Sequence, residues 1–130
     1  MWILKHPHAD GVDVRVVRPN VGIAFGDVTE ATHHQAAGFA PSANLGDNYA
    51  VFEPTHGSAP KYAGQYKVNP IAMLLTTKLM LDWLKEADMA TRLEVAIARV
   101  IAEGKVRTYD MGGKDSTLDV AKAVANYASS

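Results

Sequence analysis

Cysteine is absent from the 130 residues, which excludes disulfide bonds, thiolate zinc sites and thiol catalysis. The chain also lacks an excess of charge of one sign, because 13 basic residues stand against 14 acidic ones and the formal net charge is -1. A chain with this balance has no electrostatic footprint for nucleic acid or for an anionic membrane surface. We therefore expect neither of them as a partner.

Long apolar runs are missing as well. The longest, residues 71–84, is interrupted by Thr76, Thr77, Lys78 and Asp82, whereas a membrane span needs roughly 20 mostly apolar residues. Residues 1–8 show no charged leader followed by an apolar segment, so no secretory signal is predicted. Together with the absence of cysteine, these features lead us to expect a cytoplasmic protein.

The composition that is present is that of an ordinary globular chain, 48% hydrophobic and 21% charged. A chain of this size forms a core but not two independent domains, so residues 1–130 are expected to form a single domain. Residues 12–17 and 49–53 have the β-branched and aromatic content of short strands. Residues 39–48 are rich in Pro, Ser, Asn and Gly, which predicts a loop.

Three helices are predicted. The first covers residues 70–85, because Asn69 can cap free backbone N–H groups and Pro70 suits the first helical position. Its wide apolar surface implies burial from more than one direction. The second runs from Asp88 to a stop at Gly104, and the third begins at Ser116, with a capping box formed with the acidic residue three positions later.

These elements define an α/β fold class. Two or three short strands are too few to cover three helices, so we expect an incomplete sheet whose remaining part comes from elsewhere.

The densest chemical information lies in residues 52–64, Phe-Glu-Pro-Thr-His-Gly-Ser-Ala-Pro-Lys-Tyr-Ala-Gly, followed by Asn69-Pro70. Small side chains around Gly57 allow a ligand to approach the backbone. Lys61 and Tyr62 offer an ammonium and a phenol that suit a phosphate. From the residues alone, a structural turn with a surface lysine explains the pattern as well.

The run from residue 40 to Asn69-Pro70 closely resembles the coenzyme-binding segment of the isocitrate and isopropylmalate dehydrogenases, which are metal-dependent β-decarboxylating dehydrogenases. Residues 109–113, Tyr-Asp-Met-Gly-Gly, are similar to the Asp-Leu-Gly-Gly turn of that family. The resemblance extends from about residue 39 to the end, and residues 1–38 match poorly. It implies the C-terminal part of an isocitrate/isopropylmalate dehydrogenase-like fold.

Carried over to this chain, the resemblance implies an adenosine loop made of four consecutive residues: His56, Gly57, Ser58 and Ala59. Asn69 would recognise adenine, and Glu53 would lie nearer the nicotinamide. Tyr109 and Asp110 complete the implied coenzyme site.

Position 61 bears on the choice of coenzyme. NAD-using members of the family place an acidic residue there, which accepts hydrogen bonds from the ribose and repels a 2′-phosphate. Here Lys61 and Tyr62 are similar to the pair that holds the 2′-phosphate in NADP-dependent isocitrate dehydrogenases, and Tyr109 matches a third contact. An arginine usually follows four residues later, where this chain has Gly113. The resemblance therefore implies NADP rather than NAD.

The family also binds Mg²⁺ or Mn²⁺ through aspartates in a Gly-Asp-x-x-Ser-Asp segment, because a hard cation needs carboxylate oxygens. Gly26-Asp27 is the nearest counterpart, and Ala31 stands where the second aspartate would fall. Asp27 is thus the candidate metal ligand, and a chance match or divergence from the family pattern is the alternative.

The resemblance implies the coenzyme-binding portion of an NADP-dependent oxidative decarboxylase of a small 2-hydroxy di- or tricarboxylic acid, isocitrate before isopropylmalate. The substrate-binding arginines and the catalytic tyrosine and lysine of the family fall outside the matched part, so no catalytic residue is predicted and the chain alone is expected to be inactive. A homodimer, or association with a longer homologue, is also implied. A non-catalytic nucleotide-binding or regulatory subunit and an inactive fragment are the alternatives.

Overall fold

The structure is a computed structural model that describes residues 2–5, 15–17 and 39–130, the first two segments by their backbone only. Within these residues, four strands form one antiparallel sheet in the order β1-β4-β3-β2. The strands are β1 (Trp2–Lys5), β2 (Arg15–Val17), β3 (Pro41–Leu45) and β4 (Tyr49–Pro54). Three helices follow: α1 (Ile71–Trp83), α2 (Ala87–Glu103) and α3 (Thr117–Ala128). The predicted α/β class with three main helices is confirmed.

Strand β3 lies where the sequence predicts a loop, and that prediction is wrong. Asn44 is paired with Val16 of β2 on one side and with Val51 of β4 on the other, so β3 is held from both edges. Pro41 occupies the first position of the strand, where a missing N–H is tolerated. Pairing with two neighbours, and burial of Ala43, outweigh the weak local preference of this segment for a strand.

The other two predicted strands are present. Residues 49–53 form β4, which extends one residue further, to Pro54. Of the predicted strand at residues 12–17, Arg15–Val17 is found as β2, and residues 12–14 lie outside the described residues.

Helix α1 is buried from two directions, as its wide apolar surface predicts. On one side it joins a helical core cluster with α2 and α3, formed by Ile71, Leu75, Ala96, Ile97, Val100, Val120 and Val124. On the other side it covers the sheet, where Leu79, Met80 and Trp83 pack against Ala43, Ala50 and Phe52. The rings of Phe52 and Trp83 meet edge to face, with centroids 6.0 Å apart. The helix thus joins the sheet to the two other helices.

The helix ends follow local signals. α1 ends at Trp83, earlier than predicted, and Lys85 just beyond it adopts the left-handed conformation with φ 67°. α2 stops at Gly104, as predicted, with φ 59°. α3 begins with the predicted capping box: the Ser116 N–H donates to Asp119 Oδ2 at 2.9 Å, and the Asp119 N–H donates to Ser116 Oγ at 3.2 Å. No helix in the described residues has both the length and the apolar content to cross a membrane.

Candidate functional site

The first segment of the candidate site is the chain after β4, residues 55–65. Thr55 fastens its start, because its N–H and its hydroxyl both donate to the Ala40 carbonyl at 3.1 Å. A short 3₁₀ helix, Pro60–Tyr62, then carries the lysine and tyrosine singled out by sequence. Gln65 closes the following turn, because its side-chain amide donates to the Lys61 carbonyl at 2.8 Å. Lys61 and Tyr62 therefore project from a backbone fixed by consecutive turns.

The second segment is the loop between α2 and α3, residues 107–115. Asp115 closes it twice, since its carboxylate accepts the Arg107 N–H at 2.8 Å and its own N–H donates to the Arg107 carbonyl at 2.9 Å. A Cβ placed on Gly113 would lie 1.9 Å from the same Arg107 carbonyl oxygen, so only glycine fits there without a backbone shift. This closed loop presents Tyr109 on a short 3₁₀ helix.

The two segments meet at a pair of tyrosines flanked by lysines. The rings of Tyr62 and Tyr109 have centroids 5.7 Å apart and are tilted by 57°. Lys61 Nζ lies 4.9 Å from the centre of the Tyr62 ring, and Lys67 Nζ lies 5.1 Å from the centres of both rings. Contacts of this length are cation–π interactions. We call Lys61, Tyr62, Lys67 and Tyr109 the tyrosine–lysine cluster.

The cluster is electropositive. A hydrogen bond from Lys61, then one from Tyr109, then the charges of Lys61 and Lys67 lower the pKa of Tyr62 below its ordinary value. Loss of solvation, followed by the hydrogen bond and charge of Tyr62, raises the pKa of Tyr109. Within residues 39–130, neither lysine forms an ion pair with a carboxylate. Sequence reasoning missed Lys67, since nothing local distinguishes it from a surface lysine.

Asn69 ties the second segment to the start of α1. Its Oδ1 accepts the Ile71 N–H at 3.0 Å, so it bonds the first N–H of the helix, although Pro70, and not Asn69 as predicted, occupies the cap position. Its Nδ2 donates to Asp110 Oδ2 at 2.9 Å. Asn69 is only 7% exposed, and Asp110 Oδ1 is buried with no partner among the described residues. The bond to Asp110 uses one of the two amide hydrogens of Asn69 and one of the two carboxylate oxygens of Asp110.

The predicted adenosine loop lies on the same segment as Lys61. His56 Nδ1 is 2.9 Å from the Gly57 carbonyl, which can only accept, so the ring donates there through Nδ1. Gly57 and Ser58 are exposed, and the space beside the Gly57 Cα is open. Ala59 adopts a left-handed backbone with φ 46° where the 3₁₀ helix begins. Glu53 is half-buried on β4, opposite Ser42. Among the described residues, no hydrogen bond or cation–π contact joins His56 to the tyrosine–lysine cluster.

The candidate metal ligand, Asp27, lies outside the described residues. Among the residues that the structure does describe, no group of three His, Asp or Glu side chains could hold a metal ion.

Comparison with known proteins gives the class. The model of the isocitrate/isopropylmalate dehydrogenase family matches residues 1–124. The chain therefore belongs to this family of oxidoreductases.

Individual relatives come from both branches of the family. The chain is 49% identical over 90 residues to a 3-isopropylmalate dehydrogenase of Methanothermobacter thermautotrophicus, covering 69% of this chain and 27% of that protein. It is 41% identical over 123 residues to the mitochondrial isocitrate dehydrogenase [NAD] subunit 2 of Kluyveromyces lactis, covering 93% of this chain and 33% of that protein. The chain thus spans about a third or less of the length of these relatives.

A solved structure supports the fold. The isocitrate dehydrogenase from Methylococcus capsulatus superposes with a TM-score of 0.69 and 34% sequence identity, covering 72% of this chain and 28% of that one. The expected isocitrate/isopropylmalate dehydrogenase-like fold is therefore confirmed.

Proposed function

We propose that this chain is the coenzyme-binding portion of an NADP-dependent oxidative decarboxylase that acts on isocitrate. The observation that supports the proposal is the tyrosine–lysine cluster, in which segments far apart in sequence bring two ammonium groups and two phenols together. A 2′-phosphate is an anion that accepts several hydrogen bonds, and these groups are its natural donors.

The proposed preference for NADP over NAD rests on the site residues and not on family membership. Relatives named for NAD and for NADP are both found. An acidic side chain at position 61 would favour the free ribose hydroxyls of NAD, whereas the Lys61 ammonium attracts a phosphate. Lys61 and Tyr62 also support isocitrate over isopropylmalate, because their pattern resembles that of the NADP-dependent isocitrate enzymes.

When bound, the coenzyme would accept a hydride from the hydroxyl-bearing carbon of the substrate, after which the β-carboxyl group is lost. The residues of this chain bind and orient it. Lys61, Tyr62 and Tyr109 hold the 2′-phosphate. Asn69, together with the Asp110 carboxylate to which it is bonded, recognises the adenosine, and the open backbone at Gly57 admits it.

The proposal also covers the metal ion, the cellular location and the assembly of the protein. A Mg²⁺ or Mn²⁺ ion serves the intact family enzyme, and Asp27 is its candidate ligand in this chain. We further propose a cytoplasmic protein that acts as a homodimer or with a longer homologue that supplies the substrate-binding side chains.

The test is coenzyme binding by the full chain, measured by titration calorimetry with NADP⁺ and with NAD⁺. We expect NADP⁺ to bind more tightly, and the double variant Lys61→Asp with Tyr62→Ile to weaken NADP⁺ binding about 100-fold, equivalent to about 2.7 kcal/mol. Lys122→Asp, an exposed change on α3, is the matched control and leaves binding unchanged. An NADP⁺ preference that survives the double variant would contradict the proposal.

A non-catalytic nucleotide-binding subunit is the second candidate. It is favoured by one observation: Tyr62 lies against Tyr109, and Asn69 is bonded to Asp110, so four of the residues expected to bind coenzyme lie in two pairs. NADPH formation from isocitrate and Mn²⁺, assayed with the chain alone and with a longer homologue, separates the two. Saturable NADP⁺ binding without turnover in either mixture supports the subunit.

A further inference from the structure

We infer that Lys67 is a determinant of 2′-phosphate recognition in this chain, and that it supplies a cation beside Tyr109, in a loop where Gly113 has no room for a side chain. The inference rests on the proposed function and adds a residue to which no role was assigned by sequence.

Lys67 lies beside both tyrosine rings of the cluster. Its Nζ lies 5.1 Å from the centres of both the Tyr62 and the Tyr109 rings, so it bridges the two segments, whereas Lys61 approaches only Tyr62. An anion bound between the two phenols would therefore lie near Lys67 on the side of Tyr109, where Lys61 makes no ring contact. The ammonium of Lys67 is the group that makes the cluster positive at both rings.

The backbone around Lys67 is fixed. The Thr117 N–H donates to the Tyr66 carbonyl at 2.7 Å, and the Thr117 hydroxyl donates to the Val68 carbonyl. The carbonyls on both sides of Lys67 are thus held by one residue at the start of α3. Tyr66 is also in the left-handed conformation with φ 49°, which turns the chain at this point. A long lysine side chain reaches the ring pair from a defined origin, so less freedom is lost when it binds an anion.

The charge of Lys67 is uncompensated. Lys78 pairs with Asp82 at 2.9 Å, and Lys105 pairs with Glu103 at 3.1 Å, but Lys67 has no carboxylate partner in residues 39–130. Two ammonium groups beside the Tyr62 ring repel each other. A phosphate bound between them would be attracted by both, and this attraction would offset the repulsion. The arrangement favours an anionic ligand.

The loop that carries Tyr109 has no alternative cation in contact with the rings. Gly113 cannot accept a side chain, because a Cβ there would lie 1.9 Å from the Arg107 carbonyl oxygen. Lys114, the next residue, is exposed, and among the described residues neither it nor Arg107 has a cation–π contact with either tyrosine. Lys67 reaches the Tyr109 ring from another segment, and it is the cation that lies over this ring among the described residues.

The experiment compares Lys67→Met with Lys114→Met in the full chain. Lys67 is exposed, so the methionine variant keeps the fold, which circular dichroism verifies. We expect Lys67→Met to weaken NADP⁺ binding about tenfold and to leave NAD⁺ binding unchanged, because only NADP⁺ carries the additional phosphate. Lys67→Arg restores most of the NADP⁺ affinity, and raising the salt concentration narrows the difference between the lysine and methionine forms.

The outcomes separate this inference from the proposed function. An unaltered chain that prefers NADP⁺, together with a Lys67→Met variant that keeps the full preference, overturns the role of Lys67 alone. A loss of preference in Lys114→Met rather than in Lys67→Met does the same. An unaltered chain that does not discriminate between NADP⁺ and NAD⁺ overturns the proposed function and this inference with it. A parallel loss for both coenzymes in Lys67→Met assigns the residue a structural role and also contradicts the inference.

Discussion

The helical core cluster and the tyrosine–lysine cluster are built on opposite principles. Side chains of the core, such as Ile97 at 2% exposure, are apolar and enclosed by three helices. Tyr109 is 45% exposed, and its neighbouring lysines carry charges without carboxylate partners in residues 39–130. Burial of apolar area stabilises the first region, whereas the second keeps unbalanced charge at the surface. The side chains that stabilise the fold and those proposed to bind the coenzyme therefore lie in different parts of this chain.

Asn69 connects the two regions. Its oxygen caps α1, whose first turn begins with the core residue Ile71, and its nitrogen bonds Asp110, the neighbour of Tyr109. A change at Asn69 is therefore expected to affect both regions, unlike changes deep in either one.

The largest expected effect on the free energy of unfolding comes from truncating a side chain in the helical core cluster. Ile97→Ala removes buried methyl groups between α2 and its neighbours and should lower the free energy of unfolding by about 3 kcal/mol, measured by urea denaturation. Coenzyme binding well below the unfolding temperature should not change. The control Val95→Ala, on the exposed face of the same helix at 61% exposure, should stay within about 0.5 kcal/mol. A weakened NADP⁺ affinity in Ile97→Ala would contradict the conclusion that stability and coenzyme binding depend on different regions.

Asn69→Asp tests the connection. The change keeps the oxygen that caps Ile71 but turns the 2.9 Å contact with Asp110 into a repulsion between two carboxylates, at a cost of about 2 kcal/mol near pH 7. Because protonation of one carboxyl relieves the repulsion, acidification should recover part of the loss. Unfolding curves across pH measure this, with the exposed Asn126→Asp as control. An equal loss of stability at every pH would argue against the carboxylate contact.

The capping box of α3 is a smaller contribution. Ser116→Ala removes the acceptor for the Asp119 N–H, and we expect a loss of about 1 kcal/mol in thermal or urea unfolding. Ser129→Ala, at the other end of the helix, is the control and should cost less. If the two variants were equally destabilised, the cap would not be the element that fixes the start of α3.

The smallest effect is a pH dependence at the core's edge. Hydrogen bonds from Tyr127, then Arg99, then Lys105 lower the pKa of the Glu103 carboxyl from 4.5 to about 2. A carboxyl pKa that is lower in the folded chain stabilises it above 4.5, and this contribution disappears as the pH falls toward 2. Glu103→Gln should flatten that part of the stability profile, while the exposed Glu86→Gln keeps it. An unchanged acid limb in Glu103→Gln would show that the three hydrogen bonds are not formed in solution.

Much of the fold could be predicted because its signals are local. The helix start at Asn69, the stop at Gly104 and the capping box at Ser116 each depend on bonds within a few residues, which the sequence displays directly. The adenosine loop and the Lys61–Tyr62 pair could likewise be located from small residues, a histidine and a motif resemblance. The roles of these residues stay predictions until coenzyme binding is measured.

The sequence by itself determined the class of fold, the three helices and the segment that bears the candidate site, because turns, caps and periodic burial act over short stretches of chain. Only the tertiary structure decided that residues 41–45 form a strand, and that Lys67 lies beside Tyr62 and Tyr109. These outcomes depend on which distant segments are brought side by side, and no local preference encodes that proximity.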